Sequence, residues 1–428
     1  MNKKIITGVL LLALSLSAFA GGILTNTNQH ISFLRMPARG ASIAIDGVYS
    51  NPAGLGFMED GFHLSLNGQS AYQTRTIDAT FPLFGENSRR YEGKAAAPFI
   101  PSIQALYKKG NWGISGSFAI SGGGGKASFD KGLALFDSKV IAGLTQAGIS
   151  SDMYTINSAM DGRQYIYGFQ LGATYKINEF LSVFGGGRMN YVNSGYEGYL
   201  YALSNADSKT SFYDIELDCS QTGWGITPII GADVKYGRWN LGLKYEFIAN
   251  LNIENKTKKN SDPNGALADY RNGVNTPHDI PPMFMAAIGY EILPSLRTTI
   301  EYHQFFDKDA GMANDKQKHL TGNTNEYLAG IEWDINQLVS LSGGYQKTNY
   351  GLADDFQNDI SFSLDSYSIG LGGAVKITPQ LTMNIAYFWT NYEDYTKVSE
   401  NYNGLPLSGT DVYGRTNKVF GLGIDYKF

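Results

Sequence analysis

Five histidines, His30, His63, His278, His303 and His319, are the first residues to weigh for chemistry, and they are scattered along the chain. No two stand at the spacing of a metal-binding pair, so no metal site is expected. The sequence contains no Gly-x-Ser-x-Gly elbow and no Walker-type Gly-Lys-Ser/Thr. The stretch SGGGGK at 121–126 lacks the following Ser or Thr of a phosphate loop and reads as a flexible entry to an outer loop. Glu301 and Glu332 fall on the polar phase of alternating segments, where carboxylates need no catalytic role. Lone Cys219 has no intramolecular partner and is read as a spectator. These observations exclude an enzyme, a metal and any other cofactor as expectations.

The elements that carry these residues are strands. The end of the chain, VFGLGIDYKF, alternates Phe420, Leu422, Ile424, Tyr426 and Phe428 with Gly421, Gly423, Asp425 and Lys427. Period-two alternation gives one apolar and one polar face. A chain ending on an aromatic in the apolar phase reads as the closing strand of an outer-membrane barrel. The pattern returns in 324–337, where Tyr327, Ile331, Trp333 and Ile335 oppose Glu326, Glu332 and Asp334. It returns again in 164–177 and 239–247. A soluble sandwich alternates too, with its apolar face inward, so the faces alone do not distinguish lipid from core.

Loop lengths do distinguish them. Short turns fall at 108–111, 176–180, 236–239, 292–296, 334–338 and 376–380. Long polar or Gly-rich stretches alternate with them, near 82–97, 121–163, 203–222, 250–280, 309–323, 351–363 and 397–414. Six short turns and seven long loops predict fourteen strands with both ends on the periplasmic side, the pattern of a transmembrane antiparallel β-barrel. Closure also pairs every strand edge, as lipid requires. The composition agrees: 51 Gly, 28 Tyr and 23 Phe stand against one Cys. The loop at 250–280 is polar and is assigned no function. The stretch 131–149 differs, placing Leu133, Phe136, Val140 and Leu144 at helical spacing. That stripe either packs over the barrel mouth or forms a hydrophobic landing site for an apolar solute.

The beginning of the chain supplies the address. Lys3 and Lys4, an apolar run from Ile5 to Leu16, and Ala18-Phe19-Ala20 predict a cleaved signal peptide over residues 1–20. Loss of the two lysines takes the formal charge from −5 to −7, which gives no basis for nucleic-acid binding. Residues 21–60 precede a barrel of residues 61–428 and contain Phe33, Leu34, Met36, Ile43, Ile45, Val48, Leu55 and Phe57. Such a segment is too apolar to stay in water, and a fourteen-stranded lumen is wider than its own side chains fill. It is expected to fold inside as a plug. Its corner, Asn51-Pro52-Ala53-Gly54, turns it back into the first strand: Pro52 fixes φ and biases Asn51 toward extended geometry, and Gly54 permits a sharp exit.

The stretches ARGASIAIDGVYSNPAGLG (38–56), NWGISGSFAISGG (111–123), IPPMFMAAIGYEILPSLRTTIEYHQF (280–305) and LDSYSIGLGGAVKITPQLTMNIAYFW (364–389) run in order across most of the chain. With the fourteen strands, they resemble the FadL-type long-chain fatty-acid and hydrocarbon transporters of the Gram-negative outer membrane. That resemblance implies a hatch built around Asn51, Pro52 and Ala53. It also implies uptake of a lipophile through an apolar groove among outer loops and a pocket in the barrel. The lipophile then leaves sideways, through a gap at a kinked third strand. The corresponding strand here is read as Trp112–Ile120, with Gly113 and Gly116, beside a second strand entered through Pro98 and Pro101. Proline cannot donate to a ladder, which suits a wall lacking hydrogen bonds; the alternative places both prolines in the outer loop. At ~0.8 kcal/mol per methylene, a sixteen-carbon tail costs on the order of 12 kcal/mol to move into water, so a dry lateral route avoids a large barrier. Expected partners are a long-chain fatty acid or another lipophile and outer-membrane lipids, with the protein a monomer. No Lys or Arg matches the family's carboxylate-binding residue, and the amphipathic stretch lies in the second outer loop, whereas the family's groove lies among later ones. The other readings are a porin-like channel for small polar solutes, which requires an open lumen, and a structural or adhesive barrel acting through its loops.

Overall fold

The computed structural model of the chain describes residues 23–207 and 209–428, so the expected signal peptide lies outside the described residues. Fourteen antiparallel strands form the barrel. They are β1 (Gly61–Thr80), β2 (Arg89–Lys109), β3 (Trp112–Phe129), β4 (Tyr154–Lys176), β5 (Leu181–Ser204), β6 (Ser211–Tyr236) and β7 (Trp239–Glu246). The circuit continues through β8 (Met283–Leu293), β9 (Leu296–Phe305), β10 (Thr324–Asp334), β11 (Val339–Asn349), β12 (Ser366–Lys376), β13 (Leu381–Tyr392) and β14 (Gly409–Lys427). β14 pairs with β1 from His63↔Lys427 to Thr80↔Thr410, which closes the sheet. Short strands at Asn252–Asn260, Asn275–Pro277 and Tyr395–Ser399 extend the wall at the outer end.

All six short turns stand where the alternation breaks. The first three outer connections are shorter than the composition predicts: strands run on through Gly, Ser and Lys residues, leaving 81–88, 130–153 and 205–210 between them, whereas the four later connections span 247–282, 306–323, 350–365 and 393–408. Polar alternation continues a ladder as well as apolar alternation does, because the backbone supplies the bonds. β4, β5 and β6 consequently reach 23, 24 and 26 residues, against 10 to 12 for β8 through β13. One side of the barrel therefore rises far above the other.

Burial decides which face meets lipid. Tyr327 is 52 % exposed and Ile331 and Trp333 are exposed with it, whereas Glu326, one residue from Tyr327, is 0 % exposed. The apolar face points outward and the polar face inward, the reverse of a soluble protein and the arrangement of a membrane-spanning barrel. Trp112, Tyr175, Tyr236, Trp239 and Trp333 ring the exterior near the short turns. Tyr327, Tyr345 and Tyr367 lie nearer the outer ends. On β10 the two aromatic levels are about 20 Å apart along the strand, close to the depth of an outer-membrane hydrocarbon layer.

Residues 23–60 fold within the lumen as a short helix, α1 (Ile31–Arg35), and two 3-10 turns at Ile45–Val48 and Gly54–Phe57. Nearly all of their side chains are buried. At the outer end α2 (Ala134–Gln146) lies in the connection between β3 and β4. Leu133, Phe136, Val140 and Leu144 are all buried, packed in one cluster with Ile77, Phe81, Tyr91, Met160 and Tyr402. Leu133, at the N-cap, supplies no side-chain cap. The first turn is held instead by Asp359, which accepts the Leu135 N–H at 2.6 Å. The stretch 250–280 is less fully solvated than its composition predicts, since Leu251, Ile253 and Ile280 pack with Ala249 on the inward-facing Ile166 and Val192.

Candidate functional site

The inner segment is tied to the wall along its whole path. Asn26 donates its backbone N–H to the Ser121 carbonyl at 2.8 Å and its side-chain amide to the Gly123 carbonyl at 2.7 Å. The Gln29 carbonyl accepts from Ser102 Oγ at 2.6 Å. His30 closes the start of α1, its Nδ1 accepting from Ser32 N at 2.9 Å, while Nε2 lies 2.9 Å from Ser65 Oγ. Arg35 then pairs with Glu332, and the Gly40 N–H donates to Glu301 at 2.6 Å. Both glutamates therefore serve as anchors for the inner segment. Glu301 also meets His303, which bridges to Glu326 at 2.9 Å.

Within the segment, Arg39 grips Asp46 through two bonds of 2.7 and 3.0 Å. Burial pushes the Asp46 carboxyl pKa up, but the Arg39 guanidinium outweighs it and holds the group below the usual carboxylate range. Tyr49 lies under two cations, Arg188 at 5.0 Å and Lys244 at 4.1 Å from its ring, and its carbonyl accepts from Lys244 at 2.8 Å. Glu246 accepts from both, at 2.7 and 3.0 Å.

The corner is fixed by Asn51. Its side-chain amide donates to Asp233 on β6 at 2.6 Å and to the Ser42 carbonyl at 3.3 Å, and its side-chain oxygen accepts the Gly54 N–H at 3.3 Å. Asp233 is buried and accepts a second bond from Asn240 at 3.0 Å, and Asn240 in turn donates to the Ala41 carbonyl. The Pro52 carbonyl takes a 2.8 Å bond from Thr174, and Ala53 packs on Phe184 and Ile229. Gly54 is required for space rather than for a left-handed backbone: a Cβ there would lie 2.3 Å from the Asn51 amide nitrogen.

The wall beside the inner segment is broken. β2 and β3 pair from Lys94↔Ser128 to Ala96↔Lys126 and again from Ile103↔Phe118 to Lys109↔Trp112, with no rungs between. Pro98 and Pro101 both lie in the unpaired part of β2, so they belong to a strand and not to the outer loop. Gly113 and Gly116 face Lys108 and Ala105 in the paired part, outside the break. The glycines inside it are Gly122 to Gly125, the run that reads as a loop entry from sequence. Gly123 has φ +65°, a left-handed conformation that bends β3 and suits glycine. β3 itself extends to Phe129, and its ladder to β4 carries two further irregularities over 120–125. On the inner side, Leu24 to Gln29 cross the break, bonded to β3 through Asn26 and to β2 through Gln29.

Two cavities flank this arrangement. A polar one of about 560 Å³ lies on the periplasmic side, lined by Arg35, Arg39, Asp46, Arg297, Glu332 and Asp425 among others. An apolar one of about 30 Å³ lies at the outer end among Phe136, Leu200, Leu217, Leu267 and Tyr270. That volume holds no more than a water or two, so α2 closes the outer apolar cluster rather than opening it. Of the four stripe residues only Phe136 lines it.

No protein-family profile and no curated protein sequence matches the chain. Solved structures do. A Pseudomonas aeruginosa FadL homologue matches with a TM-score of 0.71 at 13 % identity, over 95 % of this chain and 100 % of that one. The Pseudomonas putida toluene transporter TodX gives 0.58 at 12 % identity, over 97 % and 100 %. The Ralstonia pickettii toluene transporter TbuX gives 0.57 at 14 % identity, over 93 % and 97 %. The chain has the fold of these barrels. Within this FadL-type fold, stretch 38–56 lies wholly in the inner segment, 111–123 leads up β3 into the break, and 280–305 and 364–389 are the β8–β9 and β12–β13 hairpins with their flanks. Sequence reasoning missed Asn26, the glycine run and Asp233. Asp233 stands in the inward phase of β6, which marks it as facing the lumen but does not name its partner.

Proposed function

We propose that this protein is a non-enzymatic, monomeric channel of the outer membrane that admits long-chain fatty acids or other hydrophobic compounds and releases them sideways into the bilayer. Residues 23–60 act as the hatch, with Asn51, Pro52, Ala53 and Gly54 as its hinge corner, and the exit is the β2–β3 break edged by Pro98 and Pro101. The observation that carries this reading is the missing stretch of ladder, covered from within by Leu24 to Gln29. An opening in a lipid-facing wall leads a lipophile directly into hydrocarbon and spares it the cost of water. The polar periplasmic cavity supports the same reading, because it is a poor exit for such a cargo.

The test is a staple. The 2.8 Å backbone bond brings Asn26 and Ser121 within disulfide reach. An Asn26→Cys/Ser121→Cys variant is made in Gram-negative cells, and uptake of a labelled long-chain fatty acid, toluene and a small sugar is followed with and without reductant. Lipophile uptake that stops on oxidation and returns on reduction supports the hatch and the lateral exit. Uptake unaffected by the staple rules out gating at this contact, and sugar entry without lipophile entry establishes a porin.

A further inference from the structure

Arg75 on β1 and Arg415 on β14 face each other directly in the ladder that closes the barrel, and both point inward. Arg75 is 1 % and Arg415 8 % exposed. Like charges opposite each other in a sheet repel, yet among the described residues neither guanidinium has an ion pair. Nη1 and Nη2 of Arg75 and Nε and Nη2 of Arg415 are buried with no hydrogen-bond partner. Arg75 Nε donates to Gln73 at 3.2 Å, and the two guanidiniums lie 5.0 and 4.8 Å from the rings of Phe362 and Tyr392. Rings shield a cation without satisfying its N–H groups. Lys316 adds a third buried cation, with its ammonium on Ser361 and over the Phe356 ring. The nearby carboxylates Asp359 and Asp411 are engaged by Tyr413, Tyr402 and the Leu135 N–H.

We propose that Arg75 and Arg415 hold the head of an anionic amphipath, a phosphomonoester, whose tail lies along the apolar strip leading to the break; this rests on the transport reading above. A carboxylate carries one charge and leaves the pair net positive. A phosphomonoester carries close to two and presents three acceptor oxygens, which suits four orphaned nitrogens on two forks. The strip for the tail starts at Ala71 and Val419, each four residues from one arginine, and continues with Phe388 to Ile100 at the break; Phe33 and Leu34 of the inner segment cover it, so the tail takes their place when that segment moves.

The test measures binding of octyl phosphate, octanoate, octanol and inorganic phosphate to the full mature barrel in lipid nanodiscs. Octyl phosphate is expected to bind at least about 10-fold more tightly than octanol and octanoate, since several charge-assisted bonds form only with it. Arg75→Gln/Arg415→Gln should reduce it to the level of octanol and leave octanol itself unchanged, while Arg75→Lys/Arg415→Lys, with the charge kept and the forks lost, should fall between. Octyl phosphate binding no better than octanol, or a preference that survives the double Gln variant, overturns the head site and leaves the lipophile reading standing. Octanoate binding as tightly as octyl phosphate overturns the phosphomonoester assignment. Inorganic phosphate binding as tightly as octyl phosphate, with octanol unbound, overturns the lipophile reading with it.

Discussion

At the level of Glu246 the lumen holds two buried cations, Arg188 and Lys244, and one acid that accepts from both. The same rule governs the rest of the lumen around the inner segment, where Arg35 meets Glu332, Arg39 meets Asp46, Arg297 meets Glu332 and Asp334, and His303 meets Glu301 and Glu326. Nearer the outer end Arg75 and Arg415 face each other across a ladder rung with no acid between them. Water solvates a lone charge well, but a protein interior does not, so an unpaired buried charge is tolerated only where something else compensates it. In the paired layer Arg35–Glu332 fastens the inner segment to the wall, Arg39–Asp46 braces the segment internally, and the remaining pairs lie within the wall. In the unpaired layer nothing is fastened. The difference separates a latch from a vacancy for charge.

The largest effect is expected from making the paired layer resemble the unpaired one. Glu246→Ala strips Arg188 and Lys244 of their acid and should destabilise the barrel by about 3–5 kcal/mol. Urea unfolding in detergent measures it, and a loss under 1 kcal/mol would show that water already solvates this layer. The converse substitution should do the opposite. Arg75→Leu removes a buried, unpaired charge and should stabilise the ligand-free barrel by about 1–3 kcal/mol, on the scale seen when buried ions give way to hydrophobes. Added octyl phosphate should then raise the unfolding midpoint of the parent and not of the variant. A variant less stable than the parent would mean that Arg75 is structural and that the two layers do not differ in kind.

Asn51→Ala tests the latch at its corner. The change deletes the 2.6 Å bond to Asp233 and the contact to Gly54, leaving a buried carboxylate with Asn240 alone. A cost of about 1–3 kcal/mol is expected. It should appear mainly as faster amide exchange in residues 42–56 with the strands unchanged. Uniformly faster exchange throughout the barrel would argue that the corner supports the wall and is not a separable hinge.

How much of this was legible in the chain follows from the range of each interaction. The strands were legible because alternation is local: Tyr327 and Glu326 reveal opposite faces in two residues. The six turns were legible for the same reason. Strand ends on the outer side were not, since Gly122 to Lys126 reads alike as loop and as strand, and only the rungs to β4 decide. The corner announced itself through Asn51-Pro52, whereas its partner Asp233 did not, because an inward aspartate on a barrel strand has many possible neighbours. The Arg75–Arg415 rung was least legible of all. It depends on the register between the first strand and the last, and a one-residue slip would have turned one arginine to lipid.

The smallest effect comes from titrating a paired group. Asp46 in the folded protein has a pKa below its ordinary value, because Arg39 outweighs the burial that pushes it up. The unfolded chain therefore takes up this proton first, at a pH near 3.9. The pair's contribution is fully present above that pH and is lost as pH falls through the lower, folded value. The stability difference between the parent and Asp46→Asn/Arg39→Gln should accordingly stay constant from pH 8 to about pH 5 and shrink only below about pH 4. A difference that shrinks between pH 8 and 6 would mean that Asp46 is not held ionised by Arg39. The inner segment would then rest on its apolar contacts, and the contrast between a matched and an unmatched layer would lose one of its clearest members.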